Sequence, residues 1–199
     1  MTESVKNQSY ANWELILVNA SPDNQELKVH VEQETAHDNR IKSINLTENK
    51  GISENTNAGV AIASGDFVSF FDHDDILEPD LLFSYAEAIE NNDDVDLLYC
   101  DEDKLMPDGK LAQPFFKPDF NIDLLCSVNY ICHLFVVSHD LAAQVGGFRQ
   151  EYDGAQDYDF IFPLYGEGEG DPPYPEGAVS LALPQGFDSE QPGEQAVRI

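Results

Sequence analysis

Phe67-Val68-Ser69-Phe70-Phe71-Asp72-His73-Asp74-Asp75 is the stretch on which the reading of this chain turns. Residues 67–71 have the apolar, aromatic character of a buried strand, and carboxylates follow at once at its carboxyl end. Open α/β sheets bind ligands just beyond that end. Asp72 and Asp74 stand two apart, so strand geometry carried through them would point both the same way. Two hard oxygen donors on one side suit Mg²⁺ or Mn²⁺ and, through such an ion, a phosphate. A plainer reading makes Asp75 a helix N-cap, with Glu78 as its capping-box partner and Pro79 just inside the helix. The same D-x-D spacing recurs at Asp94/Asp96, Asp101/Asp103 and Asp157/Asp159, so spacing alone does not choose between them.

The flanking sequence supplies the fold. Glu14-Leu15-Ile16-Leu17-Val18 reads as a short strand, followed by the turn-forming Asn19-Ala20-Ser21-Pro22-Asp23. Residues 25–37 read as a polar helix, 41–46 as a strand, and 52–64 as a helix ended by Gly65. Leu81, Leu82, Tyr85, Ala88 and Ile89 recur at helical spacing within 79–91, and 97–100 is a further strand. Strands alternating with helices of this length predict an α/β fold, a mainly parallel sheet flanked by helices. Residues 101–118 read as a loop, containing Pro107-Asp108-Gly109 and then Pro114-Phe115-Phe116-Lys117-Pro118. A strand over 131–137, a short helix over 141–145 and a last helix over 156–162, interrupted by Pro163, complete a core of residues 1–165. From Gly166 the chain turns rich in Gly, Pro and acid, which predicts a loosely ordered tail over 166–199 with one short strand at 179–183.

The 199 residues carry 10 Lys+Arg against 38 Asp+Glu, a net charge of −28. That field repels nucleic acid and anionic lipid, which argues against nucleic-acid partners. It also disfavours a nucleoside diphosphate, so a phosphate site here needs a divalent cation to reverse the local sign. No apolar run approaches the ~20 residues of a membrane span, and the first residues lack the apolar region of a signal peptide. The expected location is cytoplasmic, with peripheral attachment at the inner face of the membrane left open. Cys100, Cys126 and Cys132 have neither metal-ligand spacing nor disulfide density, and read as reduced packing residues.

The order of these pieces carries a resemblance. Residues 8–18, then Asn49-Lys50-Gly51-Ile52-Ser53, Asn57-Ala58-Gly59, Gly65-Asp66-Phe67, Asp72-His73-Asp74-Asp75, Asp101-Glu102-Asp103-Lys104, Gly146-Gly147-Phe148 and Gln156-Asp157-Tyr158-Asp159 together resemble glycosyltransferase family 2. The resemblance covers residues 4 to about 162 and implies a GT-A fold, nucleotide-sugar-dependent and inverting. It implies Mn²⁺ or Mg²⁺ held by Asp74, with Asp72 on the donor's ribose or sugar or sharing the ion through water. By the same resemblance Asp157 is the catalytic base, Gln156, Asp101 and Glu102 border the acceptor, and Asn19, Asn49, Gly51 and Asn57 line the donor. The plainer alternatives are turn and cap chemistry for the asparagines and Gly51, a helix-start role for Asp157, and a solvated loop for Asp101, Glu102 and Asp103. His133, in an apolar segment, reads as a satisfied core histidine or a further metal ligand.

The implied function is transfer of a sugar from a nucleotide-diphosphate donor to a saccharide or glycoconjugate acceptor, in cell-surface polysaccharide synthesis. The alternative is a catalytically silent GT-A remnant serving as an acidic binding module. Three departures bear on that choice. The family pattern expects a strand before the Ser4 to Tyr10 segment, an acidic turn where this chain has Asn19-Ala20-Ser21, and a continuing amphipathic helix after Phe162. The fold is therefore expected to be incomplete at both ends. Nucleotidyl transfer, a third reading, requires a Gly-rich basic loop near the N-terminus, and none is visible.

Overall fold

The computed structural model describes residues 1–92, 95–164, 179–183 and 194–198. In chain order the elements are α1 (Thr2–Lys6), β1 (Glu14–Asn19), α2 (Gln25–His37), β2 (Ile41–Asn45), α3 (Ile52–Val60), β3 (Phe67–Asp72), α4 (Leu81–Glu90) and β4 (Val95–Cys100). They continue with β5 (Glu102–Leu105), β6 (Leu111–Phe115), α5 (Ile122–Leu125), β7 (Phe135–Ser138), α6 (His139–Val145), α7 (Gln156–Ile161), β8 (Val179–Leu183) and β9 (Glu194–Arg198). Among the described residues no helix is long and apolar enough to cross a membrane.

The main sheet has the order β2-β1-β9-β3-β7-β4-β8. β1 pairs with β2 and β4 with β8 in parallel, whereas β9 and β7 are antiparallel to the neighbours on either side of them. Strands β2, β1, β3, β4 and β8 therefore share one direction, as a mainly parallel sheet requires. The sheet is nonetheless mixed, because β9 and β7 are interleaved between parallel strands that the sequence pattern would place side by side.

Both faces are covered, and the apolar runs show it. Leu15, Leu17, Phe71 and Leu98 pack into one core with Val5, Trp13, Val31, Leu82 and Tyr85. Val68, Phe70, Leu97 and Tyr99 pack into a second, with Tyr130, Phe135, Phe148 and Phe160. The period-two alternation splits each strand between the faces, and a strand buried on both reads as a continuous apolar run. In the second core Phe148 stacks on Phe160 at 4.5 Å, and Phe70 meets Phe148 edge-on at 4.6 Å. Such aromatic pairs contribute ~0.5–1.5 kcal/mol each beyond their burial. This cluster fixes α7 against β3.

Helix ends differ most from the sequence expectation. α2 spans the expected residues and is capped by Asn24, whose Oδ1 accepts the Leu27 N–H at 3.0 Å. α3 stops at Val60 rather than 64, and Ala61 follows as the cap in place of Gly65. Asp75 is not the cap of α4. The helix begins at Leu81 after Asp80, which makes no side-chain cap bond. Gln8 serves that end instead: its Oε1 accepts the Leu82 N–H at 3.0 Å and its Nε2 donates to the Glu78 carbonyl at 2.7 Å. A remote glutamine thus satisfies an orphan first-turn donor.

Residues 102–115, expected as loop, form a hairpin of β5 and β6 around the turn at Pro107-Asp108-Gly109. The strand expected at 131–137 is only β7, Phe135–Ser138. The short strand expected at 179–183 is β8, while most of the tail expected to be loosely ordered lies outside the described residues.

Candidate active site at the carboxyl edge of the sheet

β3 ends at Asp72, and the chain turns there, the Asp75 N–H donating to the Asp72 carbonyl at 3.2 Å. Strand geometry therefore does not continue to Asp74, and the two-apart spacing does not by itself aim the carboxylates together. Proximity comes from elsewhere. β7 is antiparallel to β3 and β4, so the segment that leads into it, Ile131 to Leu134, lies at their carboxyl ends. His133 Nε2 stands 3.6 Å from Asp72 Oδ2. Its Nδ1 is buried and has no hydrogen-bond partner among the described residues.

Asp157 enters the same site from the first turn of α7. Burial raises its pKa, the nearby His133 opposes that rise, and the Asp72 carboxylate adds to it. For His133, burial pulls the pKa down, but the carboxylates of Asp72, Asp157, Asp75 and Glu102 outweigh it and hold the imidazole above its ordinary value. One histidine and two carboxylates from three distant parts of the chain thus shift one another's protonation. Asp157 does not cap its helix; Ala155 occupies that position.

Lys117 organises this edge, and the sequence reading missed it. Its side chain is 0% exposed, its Nζ donates to the carbonyls of Ile131 and His133 at 2.6 Å each, and it pairs with Glu102 Oε2 at 2.8 Å. Its backbone N–H donates to Asp101 Oδ1 at 2.7 Å. Asp101 and Glu102 are therefore not a solvated loop; they clamp the segment that carries His133. The signal was available as a lone lysine inside the aromatic run Pro114 to Pro118. Beneath the clamp lies a cavity of about 20 Å³, bordered by Phe71, Asp75, Glu102 and His133. That is room for roughly one water.

The remaining predicted site residues are held by local bonds. Asn19 bridges β1 and β2, donating to Asn45 Oδ1 at 2.9 Å while its own Oδ1 accepts the Ser21 N–H. Asn49 Oδ1 accepts from Gly51 N–H and Asn55 Nδ2. Asn57 brackets the Phe148 backbone, donating to its carbonyl at 2.8 Å and accepting its N–H at 2.9 Å. Gln156 accepts the Gly154 N–H at 2.8 Å and reaches Asp157 Oδ2 at 3.4 Å. The start of α3 is held by Asp153, whose Oδ1 accepts from Ser53 Oγ at 2.5 Å and from the Ser53 N–H at 3.3 Å. Three acids of the other D-x-D pairs have structural partners too: Asp96 accepts from Ser138 Oγ, Asp101 serves Lys117, and Asp159 is paired bidentately by Arg149.

Gly51 precedes α3 with φ 93° and ψ 167°, a region open essentially to glycine alone. A Cβ there would also collide with the Asp153 carboxylate. Gly51→Ala is expected to cost about 1–3 kcal/mol, read as a lower urea midpoint at unchanged slope. An unchanged midpoint would show that the loop relaxes freely.

The donor chemistry fits a hard divalent ion. Asp72 and Asp74 offer oxygen, His133 offers a buried ring nitrogen, and Mg²⁺ commonly takes only one or two carboxylates with substrate phosphate completing its shell. No group of three His, Cys, Asp or Glu side chains among the described residues is arranged to hold an ion by itself.

The model of "Glycosyl transferase family 2" matches residues 1–136. The chain is 38% identical over 161 residues to the O-antigen biosynthesis protein RfbC of Myxococcus xanthus, a match covering 81% of this chain and 13% of that protein. It therefore spans about an eighth of that relative's length. Among solved structures, S. aureus TarS residues 1–349 in complex with UDP aligns with a TM-score of 0.66 at 19% identity, over 82% of this chain and 49% of that one. The mannosyltransferase PcManGT from Pyrobaculum calidifontis, in complex with GDP-Man and Mn²⁺, aligns with a TM-score of 0.56 at 17% identity, over 78% and 44%. At these identities the structures establish the shared α/β fold, and the family match establishes descent: the chain belongs to glycosyl transferase family 2.

Proposed function

We propose that residues 1–165 form the donor-binding and catalytic core of an inverting, metal-dependent glycosyltransferase. It moves a sugar from a nucleotide-diphosphate donor to a saccharide or glycoconjugate acceptor, on the cytoplasmic side, in the assembly of a cell-surface polysaccharide. One observation carries the reading: Asp72, His133 and Asp157 are coupled at the carboxyl edge of the sheet, beside the turn that bears Asp74. RfbC, named for O-antigen biosynthesis, supports the polysaccharide setting. The UDP and the GDP-Man with Mn²⁺ bound by the structural neighbours support a nucleotide-sugar donor and a divalent ion.

In this reading Asp74 and Asp72 hold Mn²⁺ or Mg²⁺, with His133 beside them. When bound, the ion neutralises the charge that develops on the leaving diphosphate. Asp157 accepts the proton of an acceptor hydroxyl while that oxygen bonds to the anomeric carbon and the nucleoside diphosphate leaves with the old bonding pair. Attack opposite the leaving group inverts the anomeric configuration. Burial makes Asp157 a stronger base than an ordinary aspartate, which favours the proton transfer. Asp101, Glu102 and Gln156 lie on the acceptor side, and Asn19, Asn49, Gly51 and Asn57 toward the donor.

Calorimetric titration with UDP and with dTDP tests the reading. Saturable binding that requires Mn²⁺ and disappears in Asp74→Asn is the expected result. An intact chain that binds neither nucleotide, with or without Mn²⁺, would leave a silent acidic module instead.

A further inference from the structure

Among the described residues twelve large apolar side chains stand exposed, and six of them fall within residues 106–128: Met106, Leu111, Phe115, Phe116, Ile122 and Val128. Single exposed apolar side chains are ordinary, whereas a concentration of them marks a surface that something covers. Phe116 is the extreme case, at 73% exposure. The first four of the six belong to the β5-β6 hairpin or follow it directly. That hairpin is a sheet of its own, with no residue buried in either strand. A two-stranded hairpin by itself is marginal in water until a further layer packs on it.

Charge separates the same stretch from the rest of the chain. Residues 104–128 carry Lys104, Lys110 and Lys117 against Asp108, Asp119 and Asp123, a balance of zero, so the net −28 belongs to the other residues. A membrane surface approaching the protein therefore meets the least repulsion and the least charge to desolvate along this stretch. The carboxylate at the hairpin turn, Asp108, is neutralised by Lys110 at 2.8 Å. Phenyl and aliphatic side chains beside lysines are also the composition with which surface-lying segments enter the boundary between headgroups and acyl chains, the lysine stems lying along the apolar side.

We propose that residues 104–128 are a docking surface for a lipid bilayer, with the β5-β6 hairpin lying in the headgroup boundary. The attachment is apolar, and the acidic remainder of the protein is held away from the surface by its own charge. The hairpin is rooted in the Glu102–Lys117 pair, whose lysine also bonds the His133 carbonyl, so docking sets the candidate active site beside the membrane. The inference goes beyond the proposed sugar transfer and does not depend on it, because vesicle binding requires neither nucleotide nor metal.

Co-sedimentation of the full chain with phosphatidylcholine vesicles should be saturable, half-complete at about 0.1–1 mM lipid, near the strength that one acyl chain supplies. Salt should leave binding to these neutral vesicles unchanged. Replacing about a third of the lipid by phosphatidylglycerol should weaken binding at about 0.01 M salt and restore it at about 1 M, where the Debye length has fallen from ~30 to ~3 Å. Leu111→Ser combined with Phe116→Ser should weaken binding about ten- to a hundredfold, from the lost burial of two exposed side chains, at an unchanged urea midpoint. Ile122→Ser combined with Val128→Ser, outside the hairpin, should give a loss of the same order. Phe83→Ser, equally exposed on α4 at 48%, should leave binding unchanged. A parent chain that does not bind vesicles, binding that requires anionic lipid, full affinity in either double variant, or an equal loss in Phe83→Ser overturns the proposal. So does a chain that ignores vesicles but dimerises in sedimentation equilibrium and loses the dimer in the double variants, which would make the stretch an interface between copies.

Discussion

Asp157→Asn is expected to lower sugar transfer about 10²–10⁴-fold, the range a general base supplies, while nucleotide binding persists. The substitution keeps the size of the side chain and its place in the first turn of α7, and removes its charge and with it the ability to take a proton. Nothing in the helix depends on the charge as a cap, because Ala155 holds that position. The loss should therefore fall on kcat, measured as nucleoside diphosphate released from a panel of UDP- and dTDP-sugars, with donor affinity read separately by calorimetry. His133 and Asp72 also lose a coupled charge, so a modest change in donor affinity is compatible with the reading. A variant that transfers at the original rate would remove Asp157 from the chemistry. One that loses transfer and donor binding together would make it a structural support for the donor pocket.

Lys117→Met is expected to destabilise the fold by about 3–5 kcal/mol, the cost of breaking a buried pair from one side. Against a total of ~5–15 kcal/mol for a domain, that is enough to unfold much of the population near physiological temperature. The ammonium is fully enclosed and serves Glu102 and the carbonyls of Ile131 and His133 together. Removing it strands a half-buried carboxylate and two carbonyls at once. Urea denaturation measures the loss, and adding Glu102→Gln to Lys117→Met should recover part of it, since the stranded charge is then gone. Equal stability of the single variant and the parent would mean that water replaces the ammonium. The Arg149–Asp159 pair offers the contrast: the arginine is half exposed, and pairs of that kind contribute only ~0–1 kcal/mol.

The regular elements were legible because their causes are local. The run Glu14 to Val18 and the run Phe67 to Phe71 announce strands by composition. α2 is announced by its polar helical stretch, and α7 by the pattern that ends at Pro163. The β5-β6 hairpin escaped because its strands are short, β5 is mostly polar and β6 contains Pro114, and only the turn at Asp108-Gly109 marks it. The cap of α4 escaped because its partner, Gln8, lies far away in sequence. A capping-box pattern around Asp75 was present in the letters but unused, since the chain leaves β3 through a turn and reaches the helix only at Leu81.

The amino-acid sequence by itself determined the α/β class, the family, and a short set of acidic residues, because periodicity, turn chemistry and the order of motifs are properties of chain neighbours. The tertiary structure decided which of those acids have a common place. Among the described members of the four D-x-D pairs, Asp72 alone stands beside the half-buried His133 and next to Asp157, while Asp96, Asp101 and Asp159 have partners of their own. It also decided that Lys117 clamps the segment bearing His133, and that β9, a polar segment, sits between β1 and β3. Electrostatic coupling and strand pairing depend on distance in space, and a spacing pattern along the chain carries no record of that distance until the sheet has assembled.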